Sequence, residues 1–274
     1  MPSLRILHQG KILVPQLNNP ISLAIPLNFD GQQPNHFDAP YAMSHAYQTN
    51  NFIGDVQKGG SCNVKTIIFT PHCNGTHTEC VGHITYEKVS IHSVFHLPLC
   101  LALLISVEPQ KAITTREPYT PPLAPEDEVI TLEKIQGAIE KAAKEKVKAL
   151  IVRTLPNSEE KKVRKYSQQL PTFFTRPAIE AISQLPILHL LVDFPSIDKM
   201  YDEGKLTAHH IFWGVEEGAN SLNVQVKLHR TITEMIYVPE NVPDGLYLLN
   251  LQVAPFLSDA APANPIIFTL KYLK

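Results

Sequence analysis

The chain has few charged side chains and almost no net charge. Asp, Glu, Lys and Arg make up only 18% of its 274 residues, and the formal net charge is −2. A chain without an excess of Lys and Arg has no sequence-wide field that could hold a phosphate backbone, which argues against a dedicated nucleic-acid-binding protein. Hydrophobic residues make up 44%, which is enough to bury a large core and excludes an intrinsically disordered protein.

Long hydrophobic segments are missing too. The longest apolar run, residues 97–107, contains Pro98 and is far shorter than the roughly 20 residues of a membrane helix. Residues 1–13 contain no uninterrupted apolar core before a small-residue cleavage site, so no secretory signal is predicted. All four cysteines lie between Cys62 and Cys100. Without a signal peptide, we expect free thiols and a cytoplasmic protein rather than a disulfide framework.

Proline and histidine are abundant, with 23 and 12 residues. Turn signals such as Asn18-Asn19-Pro20 and Asp38-Ala39-Pro40 concentrate in residues 15–60. We expect this segment to form a loop-rich N-terminal arm.

The rest of the chain alternates between apolar strands and amphipathic helices. Helices are predicted from Thr131, from Pro177 and over residues 207–213. The predicted strands are residues 22–27, 64–69, 99–107, 149–153, 187–192, 222–226, 231–238, 246–253 and 266–273. This alternation predicts an α/β fold with a mixed, barrel-like sheet and flanking helices. Because the composition does not change along the chain, residues 1–274 are predicted to form one domain.

Three histidines and a glutamate fall within twelve residues, directly after the predicted strand 64–69. They are His72, His77, Glu79 and His83. In an extended chain His77 and Glu79 project to the same side, and the other two can fold back across neighbouring glycines. Imidazole and carboxylate are ligands of zinc, manganese and iron. The pattern favours a metal site over a solvated loop or a set of hydrogen-bonded core histidines. Cys73 and Cys80 match no zinc-finger spacing and are treated as flanking residues.

This motif resembles the signature of the cyclase-like metal-dependent hydrolases, a family that includes kynurenine formamidases and isatin hydrolases. The signature reads His-x-Gly-Thr-His-x-Asp-x-Pro-x-His, and Gly75-Thr76-His77-x-Glu79-x-x-x-His83 follows it. Glu79 stands in place of Asp and Val81 in place of Pro. Cys73 occupies the position of the first histidine, with His72 beside it, so either could fill that position.

Three later blocks resemble the same family in the same order. Residues 149–154 are similar to its strand ending in Arg-Thr, and residues 191–198 are similar to its Asp-x-Pro-Ser-x-Asp element. Residues 208–214 resemble its Ala-His-x-x-x-Leu-Gly segment, in which His209 corresponds to a second-metal ligand. The resemblance implies a swivelling β/β/α type of fold.

The resemblance also implies roles for the site residues. His72, His77 and Glu79 would hold a first divalent ion, zinc or manganese. Glu79 would bridge to a second ion held by His209 and a further carboxylate. We prefer Glu234 for that carboxylate, because it lies on a predicted apolar strand and charged side chains are rarely buried without a partner. Its competitors, Glu216 and Glu217, fit a solvated loop. His83 would be the catalytic proton shuttle.

The implied activity is hydrolysis of a small amide, with an N-formyl aromatic amine of tryptophan and kynurenine catabolism as the first candidate substrate. The alternatives are a cyclic amide, imide or lactone, and a non-catalytic metal-binding member of the family. We expect one or two ions per subunit, a small-molecule substrate, and no nucleic-acid or membrane partner. The resemblance implies a homodimer or homotetramer in which the N-terminal arm lies against a neighbouring subunit.

The remaining histidines show no spacing logic and are predicted to be structural or on the surface: His36, His45, His92, His96, His189 and His229. Arg153 and Asp193 are predicted to form a buried pair at the ends of two strands, with a structural role.

Overall fold

The computed structural model describes residues 4–273 of the chain. The strands are β1 Ile6–His8, β2 Lys11–Pro15, β3 Ile21–Ser22, β4 Met43–Ala46, β5 Gln48–Thr49, β6 Phe52–Ile53, β7 Lys65–Ile68, β8 His77–Glu79, β9 Leu99–Val107, β10 Gln110–Lys111, β11 Glu128–Ile130, β12 Ala149–Thr154, β13 Phe173–Phe174, β14 His189–Val192, β15 Thr231–Glu234, β16 Gly245–Val253 and β17 Ala260–Tyr272. The helices are α1 Pro71–Asn74, α2 Ile91–Val94, α3 Leu132–Glu145, α4 Arg176–Gln184 and α5 Thr207–Trp213.

Seven strands close into a barrel in the order β17-β16-β9-β12-β14-β15-β8, and β8 pairs back onto β17. The strands β9, β12, β14 and β15 are parallel to one another, whereas β8 is antiparallel to β15. The carboxyl ends of the parallel strands therefore meet at the same edge as the start of β8. This edge is where an α/β sheet places its ligands.

Side chains alternate in direction along the barrel strands and so contribute to two separate apolar clusters. Leu104 and Ile151 belong to the cluster inside the barrel. Leu103 and Leu150 point the other way and pack with the buried faces of α3 and α4. The strands β12 and β14 are buried over their whole length, as expected for parallel strands covered on both faces. The predicted α/β fold with a barrel-like sheet and flanking helices is confirmed.

Most predicted elements are present, some with the predicted bounds and others shorter or longer. The prediction of a strand over residues 222–226 is wrong, because this segment forms turns in which Val224 is fully exposed. Leu222 and Val226 only pack their side chains onto the helix-side cluster. The predicted strand 22–27 is reduced to β3 and a single bridge at Ala24.

The N-terminal arm, residues 15–60, carries several short strands within its loops. Its strand β4 pairs with β7 in a two-stranded ribbon separate from the barrel. Met43, Ile67 and Ile68 on this ribbon are about half exposed. A two-stranded ribbon with exposed apolar residues is marginal on its own, and this feature bears on the association state proposed below.

All four cysteines are free thiols, and only Cys62 is exposed. Among the described residues, no helix is both long and apolar enough to cross a membrane.

Candidate metal centre

The strands β8 and β15 place three of the predicted site residues. Their antiparallel register sets His77 opposite Glu234 and Glu79 opposite Ile232. Because side chains alternate along a strand, His77, Glu79 and Glu234 share one face, and Thr78 points the other way to contact Thr233. His77 Nε2 lies 3.4 Å from Glu234 Oε2. All three side chains are at most 3% exposed.

Helix α5 supplies His209, which lies on its first turn. Its Nε2 lies 2.8 Å from Glu79 Oε1 and 3.9 Å from Glu234 Oε1. The opposite ring nitrogen, Nδ1, contacts Asp198, which also accepts hydrogen bonds from the backbone of Ala208 and His209. The Asp198 carboxylate therefore fixes both the start of α5 and the orientation of the His209 ring.

His72 and His83 lie at the open side of this cluster. His72 Nδ1 is 3.0 Å from Glu79 Oε2, and His83 Nε2 is 3.9 Å from the same oxygen. The two imidazole rings stack with their centroids 4.2 Å apart. Their side chains are 25% and 28% exposed, respectively, so solvent or a small molecule can reach this side of the cluster.

The cluster perturbs the acid–base behaviour of its members. Burial raises the pKa of Glu79, but the charges of His83 and His209 and the hydrogen bonds from His209 and His72 hold that pKa well below its ordinary value. Burial and the neighbouring charge of Glu79 raise the pKa of Glu234. The metal-free cluster therefore keeps Glu79 ionised and makes Glu234 the weaker acid of the two.

The histidines respond to the same carboxylates. Burial alone would lower the pKa of His72, but hydrogen bonds and charges from Asp259 and Glu79 raise it to about 10. Burial opposes the charged form of His209 as well, yet Glu79 and Asp198 raise its pKa well above the ordinary value. In the absence of a metal ion, protons on these two rings therefore balance the buried negative charge.

The donor set fits a divalent cation. His77 Nε2 is buried without a geometrically satisfactory hydrogen bond, and a buried polar atom in this state is costly. The ligand atoms of His72, His77 and Glu79 all lie within 4.8 Å of one another, as do those of Glu79, His83 and His209. Nitrogen and carboxylate ligands in such groups suit zinc or manganese.

All six predicted site residues thus converge, and the structure separates some of the alternatives. Glu217 forms an ion pair with Arg176, with closest contacts of 2.8 and 2.5 Å, and not with a histidine of the cluster. Glu234, in contrast, lies inside it. Cys73 is buried on α1 but belongs to none of the potential metal-binding groups among residues 4–273. His72 belongs to two of them, one with His77 and Glu79 and one with His83 and Asp259.

The prediction that Arg153 and Asp193 pair with each other is wrong. Arg153 instead contacts Asp244 at 3.1 Å, and Asp193 pairs with Lys161 at 2.8 Å. Asp244 lies in a loop and Lys161 in a short 3₁₀ helix, so strand positions in the sequence cannot reveal either partner.

Two of the histidines predicted to be structural are buried. His189 is held by Thr231 and by the carbonyl of Leu97, as a core histidine should be. His36 is 2% exposed, with no hydrogen-bond partner for either ring nitrogen. Burial and the charge of His77 lower its pKa to about 3, so it is neutral.

Two site carboxylates were not assigned from the sequence. Asp198 lies in the block of residues 191–198 that resembles the family, eleven residues before His209, and this resemblance is the signal that marks it. Asp259 lies in the loop before β17 and contacts both His72 and His83. Nothing in its local sequence marks it, because its partners are more than 170 residues away.

Comparison with known proteins agrees with this geometry. The Cyclase family model, described as "Putative cyclase", matches residues 20–199. No curated protein sequence matches the chain significantly.

Several solved structures share the fold. A "predicted metal-dependent hydrolase" from Bacillus stearothermophilus superimposes with a TM-score of 0.57 at 14% identity, covering 91% of this chain and 98% of its own. Isatin hydrolase A from Labrenzia aggregata gives a TM-score of 0.59 at 11% identity, covering 92% and 94%. An isatin hydrolase bound to the product analogue thioisatinate gives 0.60 at 11% identity, covering 92% and 93%.

At these identities the superpositions establish the fold alone, which is the mixed α/β barrel described above. The family model covers well over half of the chain and includes the whole motif from His72 to His83. The chain therefore belongs to the Cyclase family, and its fold is that of the metal-dependent hydrolases and isatin hydrolases.

Proposed function

We propose that this protein is a metal-dependent hydrolase that cleaves the C–N bond of a small amide. The observation that carries the proposal is the buried cluster in which His77 Nε2 lacks a hydrogen bond, next to the solvent-accessible His83. A purely structural cluster would satisfy its buried atoms internally. The non-catalytic alternative gives no reason for an accessible imidazole beside the ligands.

The residues of the cluster divide into two ligand groups. His72, His77 and Glu79 would hold a first ion, and Glu79 with His209 and Glu234 would hold a second. When bound, such an ion lowers the pKa of water to near neutrality and polarises a substrate carbonyl. The nitrogen and oxygen donors support zinc or manganese as its identity.

His83 is the residue proposed to move protons. Its ring lies at the open side of the cluster, and Nε2 faces Glu79 at 3.9 Å. An imidazole can both accept and donate a proton near neutral pH. His83 would take a proton from the attacking water and deliver it to the departing nitrogen of the amide.

The proposed substrate is an N-formyl aromatic amine, as in arylformamidases of kynurenine and tryptophan catabolism. An apolar cavity of about 290 Å³ borders His77 and is lined by residues such as Leu27, Phe29 and Phe69. An aromatic ring can occupy a cavity of this size and composition. The formyl carbon is unhindered, and the aniline nitrogen needs a single proton to leave.

A cyclic amide is the second candidate substrate class. Two of the structural neighbours are isatin hydrolases, and isatin is itself a cyclic amide. The choice between the two classes depends on how the apolar cavity orients the scissile bond.

A substrate panel tests the proposal. The zinc- or manganese-loaded protein is assayed with N-formylanilines, cyclic imides, lactams and lactones, with the His83→Ala variant as the control for background hydrolysis. We expect N-formylanilines to react fastest and His83→Ala to lose the activity. Faster opening of a cyclic amide would support the second candidate, and no hydrolysis of any amide by the loaded protein would refute the proposed function.

We also propose that the protein is a homodimer or homotetramer. The support is the ribbon formed by β4 and β7, on which the apolar residues Met43 and Ile68 lie opposite each other and are exposed in the single chain. Exposed apolar residues grouped on a marginal element are typical of a subunit interface.

A further inference from the structure

Asp259 lies between the two accessible histidines of the cluster. Its Oδ2 atom is 2.8 Å from His72 Nε2 and 3.4 Å from His83 Nδ1. Asp259 is therefore on the solvent side of both rings, opposite Glu79. None of the ligand or shuttle roles described above involves this carboxylate.

The loop that carries Asp259 is tied to the motif. The carbonyl of Asp259 accepts a hydrogen bond from the backbone of Cys80, and the carbonyl of Ser258 accepts one from Ile91. The Ser258 hydroxyl donates to Asp259 Oδ1 at 3.0 Å. The second oxygen, Oδ2, is left to face the histidines. The carboxylate is thus held in place by the same segment whose side chains it contacts.

The consequence for His72 follows from imidazole chemistry. A neutral imidazole carries one N–H group and one lone pair. Both ring nitrogens of His72 face a carboxylate, Asp259 at Nε2 and Glu79 at Nδ1. An ion bound beside Glu79 would displace the hydrogen on Nδ1, and the Asp259 carboxylate would hold the remaining hydrogen on Nε2. Nδ1 is the atom that lies 3.0 Å from Glu79 Oε2, on the side of the ligand cluster. Asp259 therefore favours the tautomer of His72 that can bind an ion beside Glu79.

The consequence for His83 is one of orientation. Among the described residues, the carboxylates within 4 Å of its ring are those of Glu79 and Asp259. With Nδ1 directed to Asp259, the opposite atom Nε2 is directed to the ligand cluster. The stacking of His72 on His83 further couples the two orientations.

We propose that Asp259 is a positioning residue that acts through both histidines: it fixes the metal-binding tautomer of His72 and directs His83 Nε2 toward the reacting centre. The effect on His72 can be tested by metal binding alone. The effect on His83 rests on the proposed hydrolase function.

The first experiment measures zinc affinity by competition with a chromophoric chelator. Asp259→Ala should weaken zinc binding by ~10–100-fold, which is typical for loss of a partner of a metal-bound histidine. Asp259→Asn retains an acceptor oxygen and should lose less, and Asp30→Asn, which removes an exposed carboxylate elsewhere, should lose nothing. The circular dichroism melting curve of each metal-free variant checks folding, and Asp259→Asn provides the test if Asp259→Ala does not fold.

A double-mutant cycle assigns the effect to its partner. The loss of zinc affinity caused by Asp259→Ala should vanish in a His72→Ala background and persist in a His83→Ala background. An equal loss in both backgrounds would overturn the proposal. So would elemental analysis in which Asp259→Ala loses one whole zinc ion, because Asp259 would then be a ligand itself.

The tautomer can also be observed directly. Long-range ¹H–¹⁵N correlation spectra of zinc-loaded, ¹⁵N-histidine-labelled protein should show His72 protonated on Nε2, with His72→Gln identifying its signals. Protonation on Nδ1 would overturn the proposal. If an amide substrate is established, Asp259→Ala at saturating zinc should lower kcat, with no further loss in a His83→Ala background. If Asp259→Ala lowers kcat by the same factor in the His83→Ala background, Asp259 does not act through His83. If no amide substrate is found, the zinc-affinity and tautomer measurements alone decide the proposal.

Discussion

Replacement of Glu234 by Gln tests Glu234 against its competitor Glu217 as the second carboxylate. Glu234 is 3% exposed, and its Oε1 atom accepts a hydrogen bond of 2.9 Å from the backbone of Ile197. The amide oxygen of Gln can retain this bond, so the fold should persist. The variant removes the negative charge facing His77, 3.4 Å away. Loss of a metal-site carboxylate should weaken ion binding by at least ~10–100-fold.

This loss can be expressed as stability, because an ion that binds only the folded state stabilises it. A ~10–100-fold weaker dissociation constant corresponds to about 1.4–2.7 kcal/mol at fixed, saturating ion concentration. At about 2–4 °C per kcal/mol for a chain of this size class, the zinc-dependent increase in Tm should shrink by roughly 3–10 °C. The metal-free proteins should melt within a few degrees of each other.

The assay is differential scanning fluorimetry with and without zinc, with Glu217→Gln as the matched control. Glu217 forms a surface ion pair with Arg176, and such pairs contribute little to stability. Glu217→Gln should therefore keep the full zinc-dependent increase in Tm. If Glu217→Gln loses this increase and Glu234→Gln keeps it, the assignment of the second carboxylate is wrong.

Further predictions concern the histidines and the ribbon. The His83→Ala variant should retain its metal and turn over substrate ~10²–10⁴-fold more slowly, as expected for removal of a general acid–base. The His77→Ala variant should lose both metal and turnover. If His83→Ala protein purifies without metal, His83 is a ligand. Because the pKa of His72 is raised to about 10 in the metal-free fold, its protonation stabilises that fold fully below about pH 6.5, and this contribution is lost as the pH rises toward 10. Denaturant unfolding of metal-free protein should show this decline, and His72→Gln should flatten it; an unchanged slope would contradict the assignment. Met43→Glu together with Ile68→Glu should dissociate the proposed oligomer in light scattering. A wild-type protein that is already monomeric at micromolar concentration would refute the oligomer.

The site was largely predictable because most of it is local in sequence. His77 and Glu79 are two residues apart on a strand, so their common face follows from strand geometry alone. Glu234 could be selected because a carboxylate on an apolar strand demands a partner. The resemblance of residues 208–214 to a family block then added His209, which no spacing rule connects to His77.

Long-range partners were the part that could not be predicted. Thr131 offers no side-chain cap to α3; instead Glu117 accepts hydrogen bonds from the backbone of Leu132 and Glu133 at the start of that helix. Such a contact depends on the path of a proline-rich loop, which local sequence does not encode. The strand predicted over residues 222–226 failed for a similar reason. Two apolar side chains of this segment pack onto the core, and such packing does not require a strand.

Metal content tests the central claim most directly. The protein is purified without added metal, analysed by elemental mass spectrometry, and assayed for amide hydrolysis before chelation, after chelation and after addition of zinc or manganese. The account predicts one or two bound ions per chain, loss of hydrolysis on chelation and recovery when the ion is returned. A metal-free protein whose hydrolytic activity is undiminished by exhaustive chelation would contradict it.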